Sequence, residues 1–295
     1  MSAQSVVTGF VRNLKQRKWR YDRIVDRVVQ PISTPFKPEP FDIVGADWDS
    51  LIVLDACRAD LFESVAPIDE FAEYRRVNSP ATSTQEWSRR VWKEDQLNTV
   101  YTTATPAVPN EPIGIFRSFE NLWITSWDDE SDTMLPGPVA DRAREVVKQY
   151  PSMRHVVHFL QPHYPFVFAD SDLLEGHEPS HEGLGWTIWD SLREGRISHE
   201  DCWRAYQQNL EGVLEVAMDL ATDLPGRTVI TSDHGNAMGE KPWWSPVELY
   251  NHPHDVWHPV LYEVPWAVID GTNTSEGGDE SDSVQDRLAA LGYAD

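Results

Sequence analysis

The chain has 295 residues, 40% of them hydrophobic with 13 Trp and 10 Phe, enough to build one large domain around a single core. Its 48 acidic against 25 basic residues leave a formal charge of −23 at pH 7, which argues against nucleic-acid binding because a phosphate backbone would be repelled. Two cysteines, Cys57 and Cys202, make no disulfide framework, and neither a membrane-spanning run nor a signal-peptide core is present, so a soluble cytoplasmic protein is expected.

The acid excess is spread along the chain, for example at Asp128, Asp129, Glu130 and Asp132, and again from Glu276 to Asp282. Such a surface suits a high-salt cytoplasm, where screening makes dense carboxylates tolerable, as in a halophile; an ordinary acidic protein is the alternative. Residues 1–40 differ, for Arg12, Lys15, Arg17, Lys18, Arg20, Arg23 and Arg27 concentrate positive charge there. Val7, Phe10, Val11 and Leu14, then Tyr21, Ile24, Val25 and Val28, recur at helical spacing. Two readings follow: a helix packed on the protein's own acidic surface, favoured here, or an arm of residues 1–30 lying peripherally on an anionic membrane face. Proline from Pro31 to Pro40 ends this arm.

Leu51–Leu54 is a continuous apolar run ending in Asp55, which predicts a buried strand with a carboxylate at its tip. A short helix with Ala59, Phe62 and Ala66 on one face follows, stopped by Pro67. Thr99–Thr105 reads as a weaker strand, and Pro138 opens a helix carrying Val139, Ala143, Val146, Val147 and Tyr150. His155–Gln161 is the next strand, running at once into Pro162, His163, Tyr164 and Pro165. Residues 166–196 read as a long irregular loop, a lid or substrate-contacting insertion. Trp203, Tyr206, Leu210, Val213, Leu214, Ala217 and Ala221 mark a long amphipathic helix, and Thr228–Thr231 and Val264–Ile269 two more strands. Alternating helices and apolar strands predict an α/β fold with a largely parallel central sheet flanked by helices. The expected domains are a basic arm (1–40), a catalytic domain (41–272), and an acidic linker with a short helix at Val284–Tyr293 (273–295).

The Thr228 strand breaks into Ser232, Asp233, His234 and Gly235. Asp233 and His234 put a hard oxygen beside an imidazole nitrogen, a mixture that divalent cations accept, and Gly235 allows close backbone approach to whatever is bound. Asp55, the triplet Thr82–Ser83–Thr84, His163 and the His252–His258 segment add polar clusters at strand ends or loops. Their joint placement is what one metal site at the carboxyl edge of a sheet produces.

The stretches LIVLDACRADLF, TSTQEW, HFLQPHYPF and TSDHGNAMGE, followed by NHP and VPW, resemble the sulfatase-like branch of the alkaline phosphatase superfamily in order and rough spacing over residues 48–270. That resemblance implies an alkaline phosphatase/sulfatase-like fold and attack on phosphorus or sulfur esters by a metal-bound nucleophile. It makes Asp55, Asp233 and His234 metal ligands and Thr84 both ligand and nucleophile, with Ser83 and Thr82 as alternatives. His163 would stabilise a leaving or phosphoryl oxygen, and His252 would contact substrate or metal. Arg58 would hold the transferred anion bidentately, with an ion pair to a nearby acid as the equal alternative. A separate zinc site at His252, His254 and His258 is the minority reading.

Gln161 stands where a further carboxylate ligand would help, so one divalent ion (Mn, Zn, Mg or Ca) is expected rather than two. Ala56 replaces the second Asp of calcium-type sulfatases, and Thr82–Thr84 offers no context for a modified-cysteine nucleophile. The expected function is therefore a metal-dependent hydrolase or transferase of phosphate esters through a threonine nucleophile and a covalent intermediate. A sulfatase is the nearest alternative, and a catalytically inactive, membrane-associated binding module the rival of another class. The substrate would be a small-molecule, glycan or lipid-head-group ester, with Trp186, Trp189, Trp243 and Trp244 as candidate stacking walls.

Overall fold

The computed structural model describes residues 17–108, 115–175 and 187–271. Val7, Phe10, Val11, Leu14, Trp186 and the expected C-terminal helix lie outside these residues. Seven strands form one sheet in the order β2-β9-β6-β1-β5-β3-β4. They are β1 (Ser50–Asp55), β2 (Glu73–Asn78), β3 (Gln96–Thr103), β4 (Phe116–Asn121), β5 (Arg154–Pro162), β6 (Thr228–Ser232) and β9 (Glu263–Ile269). β7 (Ala237–Glu240) and β8 (Leu249–Asn251) make a separate antiparallel pair.

Strand β1 lies at the centre because both of its faces are apolar. Ile52 and Leu54 enter one core with the helices α1 (Ala59–Val65), α3 (Pro136–Gln149) and α5 (His199–Asp223), while Leu51 and Val53 enter a second core with Trp48, Trp87, Trp92 and Tyr101. A strand buried on both sides reads as an unbroken apolar run, which is why SLIVLD looks as it does. β5, β1 and β6 are mutually parallel, and the register pairs Leu54 with Ser232. Asp55 and Asp233 therefore leave the same sheet edge side by side.

The predicted α/β class and largely parallel sheet are what the structure has, with some differences. β9 runs antiparallel to β6, and β2 antiparallel to β9. The third helix begins at Pro136, two residues before Pro138. The supposed irregular stretch contains α4 (Ile188–Arg193), closed at its start by a reciprocal capping box between Thr187 and Asp190. Trp189, offered as a stacking wall, is 2% exposed and packs against Phe166 and Tyr206 in the core.

Residues 17–24 are helical and continue through a π-helical turn (Val25–Val29), an α turn (Gln30–Ser33) and a 3-10 turn (Thr34–Phe36). Val25 and Val29 face inward, onto Leu249, Val256, Leu261 and Tyr262. Arg17 pairs with Glu194 at 2.6 Å and Lys18 with Asp190 at 3.3 Å. This part of the arm does pack on the protein's own acidic surface.

Candidate active site

Asp55 ends β1, and Asp233 and His234 follow β6, so backbone register alone brings them together. Their ligand atoms lie within 4.8 Å of one another, and all three residues are buried. Thr84 joins them from the first turn of α2 (Thr84–Val91). Its Oγ1 donates to Asp55 Oδ2 at 3.3 Å and lies 3.4 Å from His234 Nε2. His234 Nε2 is 3.6 Å from Asp55 Oδ1 and 3.5 Å from Asp233 Oδ2.

Each member is held by its other end. Asp233 Oδ1 accepts from the N–H groups of Ala56 and His234, both at 2.9 Å. His234 Nδ1 donates to the Gly235 carbonyl at 3.0 Å, a bond that assigns the remaining lone pair to Nε2. What faces inward is a group of acceptors without protons to share: Asp55 Oδ1 and Asp233 Oδ2 are buried with no hydrogen-bond partner. Burial, then repulsion from Asp233, pushes the Asp55 carboxyl well above the usual range. Burial also pushes Asp233 up, but the positive charge that His234 and His158 carry when protonated, with the bond from the Ala56 N–H, outweighs it and holds that carboxyl down. Two carboxylates facing each other in a dry pocket, with an imidazole lone pair between them, are the donor set a divalent cation satisfies.

Of the three hydroxyls in TST, the one that meets this group is Thr84. Thr82 is spent on the loop opposite, donating to the Pro253 carbonyl at 3.0 Å and accepting from Asp255 N–H at 2.9 Å. Ser83 sits at the N-cap position of α2 without capping it, which leaves the first N–H groups of that helix next to Thr84 free to meet an anion. Cys57 is fully buried and its thiol is pushed up by that burial, so it offers no nucleophile.

Three imidazoles meet at the site. The His252 ring centroid is 4.5 Å from that of His234 and 5.6 Å from that of His163. His163 Nδ1 donates to the Tyr164 carbonyl at 2.6 Å, and burial, then the His234 charge, brings its pKa down to about 4. His252 is pushed well below the ordinary histidine value, again by burial first. Both rings are neutral at pH 7.

Arg58 takes the ion-pair role: its guanidinium is 4% exposed and bonded to Asp60 (2.8 and 2.7 Å), Glu240 (2.6 Å) and the Asn236 carbonyl (3.1 Å). Those bonds leave little of it for an anion. The grouping of His252 with His254 and His258 does not form, since His254 pairs with Glu86 at 2.8 Å and His258 caps α6 (Pro259–Tyr262). Gly235 does permit close approach, but to the chain itself: a Cβ there would lie 2.0 Å from the Val260 carbonyl oxygen.

Several supporting residues carry no local sequence signal. Tyr206, on α5, donates to the Ala56 carbonyl, and Asn209 holds the Pro162 and His163 carbonyls at 3.1 and 3.4 Å. Within β5, His158 accepts from Tyr101 at 2.8 Å through Nδ1, which directs Nε2–H toward Asp233 Oδ2, 3.9 Å away. Ala56 adopts φ 61°, a left-handed conformation that turns its N–H onto Asp233.

The soluble domain of lipooligosaccharide phosphoethanolamine transferase A from Neisseria meningitidis matches with a TM-score of 0.51 at 12% identity, over 81% of this chain and 81% of that one. The C-terminal periplasmic domain of EptC from Escherichia coli, in complex with Zn, gives 0.46 at 14% identity over 80% and 77%. A 2-O GAG sulfatase gives 0.46 at 11% identity over 80% and 65%. No family model and no curated protein matches the chain. The first match shows that the chain has the alkaline phosphatase/sulfatase-like fold, as the motifs implied. Against the expectation of a cytoplasmic location, the matched EptC structures are of periplasmic domains.

Proposed function

We propose that the chain is a metal-dependent enzyme that hydrolyses or transfers phosphate esters, with Thr84 as the nucleophile. The observation that carries this reading is Thr84 Oγ1, 3.3 Å from Asp55 Oδ2 and 3.4 Å from His234 Nε2, beside two carboxylate oxygens that have no partner. Asp55, Asp233, His234 and Thr84 would hold one divalent ion, and two carboxylate oxygens, one nitrogen and one hydroxyl suit manganese or zinc. When bound, the ion would favour the ionised form of the threonine hydroxyl and draw charge from a phosphoryl oxygen.

The chain's own groups supply the rest. Asp55 Oδ2 receives the hydrogen bond of the attacking hydroxyl and orients its lone pair outward. The uncapped start of α2 offers backbone N–H groups to the phosphoryl oxygens, at the positive end of the helix dipole. Neutral His163, with Nδ1 committed to Tyr164, keeps Nε2 as its exchangeable site; there it accepts a proton from the incoming water or acceptor hydroxyl. His252, packed against His163 and His234, would contact the ester. In the first step Thr84 Oγ1 bonds to phosphorus as the bond to the leaving alcohol breaks, the threonine proton passing by way of Asp55 Oδ2 to the departing oxygen, and a phosphothreonine ester results. Water or an alcohol then attacks that phosphorus, gives its proton to His163, and takes the phospho-group as the bond to Thr84 breaks and the proton returns to Thr84 Oγ1.

Phosphate is favoured over sulfate because an unmodified threonine reaches the cluster while the cysteines do not. A lipid-head-group or glycan ester fits the reading, as the Neisseria match is named for such a transferase. The test pairs wild type with Thr84→Ala on phosphomonoester, phosphodiester and sulfate ester substrates after loading with zinc or manganese. Activity on one phosphate ester class, lost by about 10³-fold or more in the variant, together with a wild-type intact-mass adduct on Thr84, is the expected result. Undiminished activity in Thr84→Ala would remove Thr84 from the reaction.

A further inference from the structure

The N-terminal helix has a second face that the packing on the domain leaves over. Ile24, Val28, Ile32 and Phe36 repeat at intervals of four and are 45%, 51%, 50% and 37% exposed. Trp19 precedes them at 58%, and Trp243, from the loop after β7, lies against Phe36 with ring centroids 5.4 Å apart and is 78% exposed. A soluble surface scatters such residues singly; here they form a row along one helix with an aromatic residue at each end.

The charges beside this row set it apart from the rest of the molecule. Arg20, Arg23 and Arg27 are exposed on the same helix, and the acids among them are Asp26, exposed, and Asp22, half-exposed and 3.8 Å from Lys18. Arg23 stacks its guanidinium over Trp19 at 4.8 Å. The sequence continues the basic and apolar character upstream through Phe10, Arg12, Leu14 and Lys15. In a protein of net charge −23, a local basic rim around exposed Ile, Val, Trp and Phe matches an interface that is apolar inside and anionic at its surface. The acid excess elsewhere is screened beyond about 8 Å at physiological ionic strength, so the rim and not the total charge meets the partner.

We propose that this face, Trp19 through Phe36 with Trp243, is a docking surface for an anionic lipid bilayer. The helix lies flat, its inner face held to the domain by Val25 and Val29, its apolar row entering the interfacial region, and its arginines meeting lipid phosphates. Tryptophan at either end suits the headgroup level. The surface requires nothing of the catalytic reading and stands or falls apart from it.

The test uses the full chain with vesicles of mixed phosphatidylglycerol and phosphatidylcholine, and with phosphatidylcholine vesicles alone, in a cosedimentation assay. Three variants are compared: Ile24→Asp with Val28→Asp and Ile32→Asp; Arg20→Glu with Arg23→Glu and Arg27→Glu; and Trp243→Ala. All change exposed side chains, so circular dichroism and melting should match wild type, and Trp243→Ala keeps the test alive should the helix variants disturb packing. Expected is wild-type binding to the anionic vesicles, weakened by added salt, and at least about tenfold weaker binding in each helix variant. Wild type that stays in the supernatant, or helix variants that sediment as it does, would overturn the proposal. So would a dimer seen by light scattering that the Ile24→Asp set dissociates without any vesicle binding, because the face would then belong to a second copy of the chain.

Discussion

Asp233 shows how one side chain is divided between fold and chemistry. Its Oδ1 is satisfied by two backbone N–H groups while Oδ2 is left bare toward Asp55 and His234. Asp233→Asn keeps the shape but replaces an acceptor oxygen by a donor or a neutral carbonyl, and bound zinc measured by equilibrium dialysis should fall in affinity by about 100-fold or more. His158, behind it, controls pH behaviour. Burial brings its pKa down from 6.5 to about 4, so between those values the unfolded chain holds a proton that the folded one does not. Stability therefore rises with pH through that window, is complete above about 6.5 and is lost toward 4, by roughly 3 kcal/mol for this residue. His163 acts in the same direction. Urea unfolding of wild type and His158→Gln at several pH values checks this: the variant should show a shallower slope, and parallel slopes would mean that His158 is not the residue responsible.

At the scale of elements, what could be read in advance follows burial. β1, β5 and β6 are buried on both faces and announce themselves as apolar runs with a chemical residue at the end, so Asp55, Asp233 and His234 were legible. β2 and β4 close the two edges of the sheet; their sequences, EYRRVN and FRSFEN, have one buried residue each and carry no apolar run or clean alternation. Tyr206 and Asn209 sit on a helix face whose period is hydrophobic, and nothing local distinguishes a buried hydroxyl that supports a site from ordinary core. The N-terminal helix was read as having one apolar face because Ile24 and Val28 were grouped with Val25; the structure turns them to opposite sides. Gly235 is the joint between elements: its N–H reaches the Leu261 carbonyl at 3.0 Å, and the Val260 carbonyl fills the place of a side chain. Gly235→Ala must push α6 from the β6 loop. It should cost about 1–3 kcal/mol by urea unfolding, as overpacking does, and lower zinc affinity with it. Full stability with full zinc affinity would show that the loop and α6 separate freely.

For the whole molecule, the charge of −23 sets a repulsion that the fold must overcome. The chain opposes it with arginines that each gather several acids: Arg144 holds Asp141, Asp219 and Asp223, and Arg227 holds Asp47, Glu73 and Asp270. These pairs are largely exposed, and such pairs are typically worth about 0–1 kcal/mol each. Salt weakens them and the wider repulsion together. Because acids outnumber basic residues by nearly two to one (48 against 25), relief of repulsion should win, and the melting temperature of metal-free protein should climb as NaCl is raised from 0.1 to 1 M, where the Debye length shrinks from about 10 to 3 Å. The proposed metal site would add a separate contribution of another form. A cation that binds only the folded state stabilises it by about 2.7 kcal/mol at a hundred times its dissociation constant. In fixed high salt, zinc or manganese should therefore raise the melting temperature further, saturably and at one ion per chain, and Asp233→Asn should lose that step while keeping the response to NaCl. Loss of both responses in the variant would trace them to one source, the general acid surface, and a rise with zinc that survives the substitution would place the bound ion outside the Asp55–Asp233–His234 cluster.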